Sequence, residues 1–346
     1  MKFLKCIGKL FSFIGIFLII VVITIYSIGL IFCYGPSIHA RNLFVTTLLE
    51  TGQMKFVVKL FMSDEKVQKI VNSNSMVVFN EEVDNSLIDT NSVLDKDGIE
   101  LVQISGSTYL AKMIIVNDPS RVKLASIYDG GWKEYGVTLD KLVNDNNAFA
   151  GVNGGLYVSD SNKGGKPMGL VVKNGVIEHN NPTGITGLHL IGFNEDNLLK
   201  IIDLSGKNKV EIETIIKEEK IRDAVAFQEE MSDANNHFVK LIINGEAREV
   251  NGSGSGANPR TAIGQRADGA VLLLVTDGRG ANGHLGATAS DLIEIMKEYG
   301  AVNAANIDGG SSSSMYYDGK YEMTSVTLYY SNSSWRLPTG FIVEKR

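Results

Sequence analysis

"TAIGQRADGAVLLLVTDGR" (residues 261–279) reads as two strands folded back on each other at Asp268-Gly269. Its second arm, "AVLLLV", is apolar at successive positions, the pattern of a strand buried on both faces. Asp277-Gly278-Arg279 then ends it abruptly. The same design recurs in "GLVVKNGVIEH" (169–179), "KLIINGEAREV" (240–250) and "YYDGKYEM" (316–323). Their turns are Asn174-Gly175, Asn244-Gly245 and Asp318-Gly319, dipeptides that accept the positive φ of tight hairpins. One helix stands out among the strands. In "ATASDLIEIMKEYG" (287–300), Leu292, Ile295, Met296 and Tyr299 share a face, with Thr288 as N-cap and Gly300 as stop. Hairpins followed by one packed helix and further strands predict an α+β fold, with a mixed, largely antiparallel sheet core and a few packed helices.

Upstream the character changes. Leu10 to Phe32 carries no charge, and about 20 apolar residues suffice to cross a bilayer as a helix. Lys2, Lys5 and Lys9 precede this run and the next charge is Arg41, so the positive-inside rule leaves the N-terminus cytoplasmic. A cleaved signal peptide is the alternative. The run is long for a signal h-region, and "SIHA" (37–40) has Ile where a small residue is expected. The expected organisation is a cytoplasmic tail (1–9), a transmembrane signal anchor (10–33), a membrane-proximal helical stalk and linker (34–100) and an extracellular domain (101–346). That places the protein in the cell membrane as a single-pass chain. Within 34–100, residues 41–75 show helical spacing on either side of Gly52, and 76–100 are polar. The only cysteines, Cys6 and Cys33, fall at opposite membrane faces and cannot pair within one chain, so the outer domain must be held by its core.

A net charge of −6 argues against a nucleic-acid partner. The five histidines show no metal-ligand spacing, and there is no HExxH, GxSxG, P-loop or strand-borne GxGxxG motif. What stands out is polar residues beside glycines where apolar strands end. Asn153-Gly154-Gly155 ends one strand, Asp277-Gly278-Arg279 another, and Asn306, Asp308, Gly309-Gly310 and the run Ser311 to Ser314 a third, while Arg260-Thr261 opens a fourth. Singly, each is an ordinary turn, and the serine run is an ordinary flexible loop. Together they are an anion-binding set. Glycine lets backbone approach a ligand, successive N–H groups form a nest, hydroxyls add donors and arginine offers a planar fork for phosphate.

From about residue 101 to 346 the chain resembles the phosphodiester glycosidase family, in its bacterial membrane-anchored branch. The matching blocks are "GVNGGLY" (151–157), "GKPMGLVVKNG" (165–175), "NPRTAIG" (258–264), "LVTDGR" (274–279), "GATASDLIEIMKEYGAVNAANIDGGSSSSM" (286–315) and "RLPTGFIV" (336–343). Leu156-Tyr157 stands where an aromatic pair or Gly-Phe is usual, and serines replace a more glycine-rich loop. The resemblance implies a hydrolase that cleaves sugar-1-phosphate bonds of cell-envelope or exopolysaccharide glycans. Asp277 and Asp308 would activate water or stabilise the oxocarbenium ion. Arg260 and Arg279 would hold the phosphate, and Asn153, Gly154, Gly155, Thr261, Asn306, Gly309, Gly310, Ser311 and Ser312 would line the substrate site. No cofactor is required on this reading, and the partners are a glycosyl-phosphate substrate and the membrane through residues 10–33. Two alternatives stay open: a phosphodiesterase whose Asp277 and Asp308 hold a divalent cation, and a non-catalytic protein that binds or assembles anionic glycans.

Overall fold

The computed structural model describes residues 2–51, 54–93, 95–231, 236–326 and 332–346. The glycine-marked hairpins all form. At Asn174-Gly175, Asn244-Gly245 and Asp318-Gly319 both turn residues have positive φ, and at Asp268-Gly269 the glycine does. Every pairing between strands among the described residues is antiparallel.

The largest sheet has seven strands, in the order Ile99–Ser105, Leu110–Val116, Val271–Thr276, Thr261–Arg266, Ala301–Ile307, Lys240–Ile243 and Glu246–Ala247. A second has five: Lys320–Met323, Met315–Tyr317, Ala148–Asn153, Thr339–Glu344 and Val122–Ser126. The third, also of five, runs Val176–Asn181, Gly169–Lys173, Ile221–Gln228, Leu188–Asn194 and Leu199–Asp203. Their inner faces meet in one core, where Ile114, Ile263, Leu273 and Val275 join Val152, Phe341, Ile191, Phe193 and Val225. Alternate residues of the same large-sheet strands, Met113, Ala262, Leu272 and Leu274, face the other way onto Leu292, Ile295 and Met296 of the helix Ala289–Glu298. This two-sided burial is why "AVLLLV" is uninterrupted rather than alternating. Thr288 caps that helix in a reciprocal capping box with Asp291.

The first helix, Lys2–Tyr34, contains an apolar stretch (Ile7–Tyr34) long enough to cross a membrane, and most of its large apolar side chains are exposed. It is followed by the helices Ile38–Leu49, Lys55–Phe61 and Asp64–Asn72, with Ser37 and Ser63 at the N-caps of the first and third. Gly52 lies outside the described residues. Val45, Leu49, Val58, Val67, Ile70 and Val71 give these helices a small core of their own, which takes in Cys33. The polar segment beyond them follows the edge of the large sheet. Val77 N–H donates to the Glu249 carbonyl (3.0 Å), and Lys240 Nζ and Asn244 Nδ2 donate to the carbonyls of Glu81 (2.7 Å) and Glu82 (2.9 Å). A linker-like composition is thus compatible with an ordered strap, because the attachments are mainly through its backbone.

Candidate active site

Antiparallel register assembles the site. Thr261 pairs with both Val275 and Ile307, so the start of its strand lies at the same end of the sheet as the ends of the other two. Arg260, Asp277 and Asp308 therefore emerge side by side, although far apart in sequence. Asn153 brings in the second sheet. Its Nδ2 donates to the Asp308 carbonyl (2.6 Å), while its Oδ1 accepts from Thr261 Oγ1 (2.7 Å) and from Ser314 N–H (3.2 Å). Asn153 and Thr261 are fully buried, so these bonds make them cross-braces between sheets.

The serine loop is a short 3₁₀ turn, Gly310–Ser312, with Gly310 at φ 64° and its N–H on the Pro259 carbonyl (2.7 Å). Ser311 Oγ accepts from Arg279 Nη1 (2.9 Å), and Ser312 Oγ is 2.9 Å from the Tyr157 hydroxyl. Ser313 and Ser314, which read from sequence as loose loop, are buried. Ser313 Oγ is 3.2 Å from Thr261 Oγ1, and Ser314 Oγ donates to the Ser312 carbonyl (3.0 Å). The run is half wall and half foundation. Gly154 and Gly155 are foundation as well: a Cβ on Gly154 would strike Thr339, and one on Gly155 would strike Ala226 and Val225. Asn306 Nδ2 donates to the Phe238 carbonyl (2.9 Å), leaving a buried Oδ1 with no partner among the described residues.

The two acids differ. Asp308 sits half-buried, and the loss of solvent around its carboxyl pushes the pKa up to about 7. The Ser312 hydroxyl, the Gly309 N–H and the charge of Arg279 act in the opposite direction without cancelling that rise. Asp277 is committed elsewhere. Its Oδ1 accepts from Leu110 N–H (2.8 Å), on the strand farther from Asp308, and its Oδ2 pairs with His284 Nδ1 (2.7 Å). Among the described residues no group of three or more His, Cys, Asp or Glu side chains is gathered to hold a metal ion.

The arginines differ too. Arg260 is buried over the Phe238 ring, and its Nη2 donates to Glu50 Oε2 (2.5 Å), Ser255 Oγ (3.2 Å) and the Gly256 carbonyl (2.9 Å). Arg279, held at φ 52° in the Asp-Gly-Arg turn, stands at the rim with its Nη1 on Ser311. Packing around its guanidinium and the like charge of Arg260 lower its pKa, and Asp308 and Glu50 oppose this, so four charges are grouped here.

The sequence model of the phosphodiester glycosidase family matches residues 146–344, over half of the chain. The chain belongs to the phosphodiester glycosidase family. A curated relative is the SPbeta prophage-derived uncharacterized protein YomE of Bacillus subtilis, 30% identical over 162 residues, which are 45% of this chain and 23% of YomE. The chain therefore spans only about a quarter of that relative's length. The zebrafish N-acetylglucosamine-1-phosphodiester alpha-N-acetylglucosaminidase catalytic domain, auto-inhibited by its pro-peptide, shares the fold at TM-score 0.51 and 20% identity. That alignment covers 72% of this chain and 83% of the zebrafish one. A putative exported protein of Burkholderia pseudomallei aligns at TM-score 0.44 and 14% identity, over 68% of this chain and 74% of its own.

Glu50, Asn258 and Tyr157 join the site without having been singled out for it by the sequence. Asn258 and Tyr157 fall inside family-like blocks, which was their only signal. Glu50 had none, because its partners lie some 200 positions away in the chain.

Proposed function

We propose that this member of the phosphodiester glycosidase family is a membrane-anchored hydrolase acting outside the cytoplasm on sugar-1-phosphate bonds of cell-envelope or exopolysaccharide glycans. The observation that carries the reading is Asp308: a half-buried carboxyl titrating near neutrality, beside Arg279 and the Gly310–Ser312 turn, in a chain of this family. Arg279 and the Ser311 hydroxyl bind the phosphate, whose monoester leaves as a stable anion without needing a proton. The charge that develops on the leaving oxygen meets a fixed guanidinium rather than water. Asp308, ionised, takes the proton of the water that attacks the anomeric carbon, and the C–O bond to phosphate breaks through an oxocarbenium-like transition state. Arg260 and Asn153 hold the framework, and Asp277 holds the turn that carries Arg279.

The test is a screen of the purified full chain against N-acetylglucosamine-1-phosphodiesters and teichoic-acid fragments in oxygen-18 water. Release of free sugar carrying the label supports the reading. Label in the phosphomonoester, with activity lost on chelation, favours a metal-dependent phosphodiesterase. Binding without turnover by any substrate favours a glycan-binding protein.

A further inference from the structure

Glu50 lies outside the family match, at the C-terminal end of the membrane-proximal helix Ile38–Leu49, yet its side chain is only 5% exposed and points into the catalytic domain. Its Oε1 accepts from the Gly256 N–H (2.6 Å), and its Oε2 accepts from Asn258 Nδ2 (3.1 Å) and Arg260 Nη2 (2.5 Å). Donors from three alternate residues of one short stretch thus converge on one carboxylate. A neighbouring contact reinforces this: Thr47 Oγ1 accepts from the Ala257 N–H (2.9 Å), and Gly256 has no room for a Cβ against the backbone of Thr46 and Thr47.

The Asn258 bond matters most. With Nδ2 tied to Glu50, the other end of the amide, Oδ1, faces Arg279 Nε (3.4 Å), and Arg279 Nη1 reaches Ser311 (2.9 Å). Glu50, Asn258, Arg279 and Ser311 form a continuous chain of hydrogen bonds from the membrane-proximal helix to the phosphate wall. A planar guanidinium binds phosphate well only when its fork is held in one orientation. Without the carboxylate, the Asn258 amide is free to turn its NH₂ toward Arg279, replacing an acceptor by a donor. Arg260 would also become a buried cation short of its counter-charge.

We propose that Glu50 is a positioning residue for the reaction. It acts through Asn258 on Arg279, so that the membrane-proximal helix is one wall of the catalytic unit. This rests on the hydrolase reading for its kinetic consequence and on geometry alone for the relay. The test uses the full chain in detergent, with Glu50→Gln, Asn258→Ala, the double variant and Thr47→Ala. The last loosens the same helix contact without touching the relay. With a hydrolysed phosphodiester, E50Q and N258A each lower kcat/KM about 10- to 100-fold, as outer hydrogen-bond partners of a reacting site typically do. The double variant falls no further, and T47A changes it less than about 3-fold. Additive losses, equal losses in T47A, or a rise in activity in E50Q would each overturn the proposal. A readout without substrate separates this from failure of the hydrolase reading: the Arg279 Nε–H resonance, assigned through Arg279→Lys, moves in E50Q and N258A and stays in T47A. An unmoved resonance in E50Q overturns the relay whether or not the protein hydrolyses anything.

Discussion

At the scale of residues, Asp308 and Asp277 show how identical side chains at equivalent strand ends meet different surroundings. Asp308 loses solvent and titrates near 7, whereas Asp277 is spent on Leu110 and His284. On the proposed mechanism the leaving phosphate needs no proton, so the ionised form of Asp308 would be the working one. Activity should therefore fall as pH drops below about 7, and Asp308→Asn should remove at least about 100-fold of kcat at pH 8. Stability moves the other way. Between the unfolded carboxyl pKa of about 4 and the folded value of about 7, the native state holds more protons, so stability declines as pH rises through that window. The amide introduced by D308N mimics the protonated acid, and thermal melts should show this variant more stable than the parent at pH 8, with the difference vanishing near pH 4. A D308N melt that tracks the parent at both pH values would contradict the raised pKa. Asp277→Asn should instead lower Tm and activity together, since it weakens two bonds that hold the turn before Arg279.

At the scale of elements, the informative contact is the helix Ile38–Leu49 on the loop ahead of Thr261. Gly256 is the position where the two backbones touch, and a methyl group there must push them apart. Gly256→Ala is expected to destabilise the protein by about 1–3 kcal/mol, the usual penalty for overpacking. It should also reduce activity, read by melting and by kcat/KM on the same preparation. A substitution with neither effect would mean that the helix is not seated on this loop. Elements of this kind differ in legibility. The hairpins at 174–175, 244–245 and 318–319 were readable because a tight turn demands positive φ from two adjacent residues, a local requirement. The helix Ala289–Glu298 was readable from its periodicity and its Thr288 cap. The order of strands in the sheets was not, since the large sheet joins strands near residues 100, 240, 270 and 300 whose neighbours are chosen by packing.

At the scale of the whole molecule, the apolar helix and the three helices after it precede the three large sheets, and the helix Ile38–Leu49 is seated on the loop ahead of Thr261. If the domain lies outside the cell, Asp129→Cys, in an exposed loop, should react with a membrane-impermeant maleimide on intact cells. Labelling only after permeabilisation would reverse the proposed topology. The sequence by itself determined the turns, the capped helix, the apolar N-terminal span and the strand-end motifs that mark the family, because each depends on residues a few positions apart. It also placed Asp308, Arg279 and the serines in a common set. Only the tertiary structure decided which members stand at the rim and which brace the sheets. Asn153, Gly154, Gly155, Ser313 and Ser314 share motifs with residues at the rim but are enclosed by strands from elsewhere. Glu50 carries no local mark at all. Burial and hydrogen-bond partners are properties of long-range neighbours, and those exist only once the sheets have closed on one another.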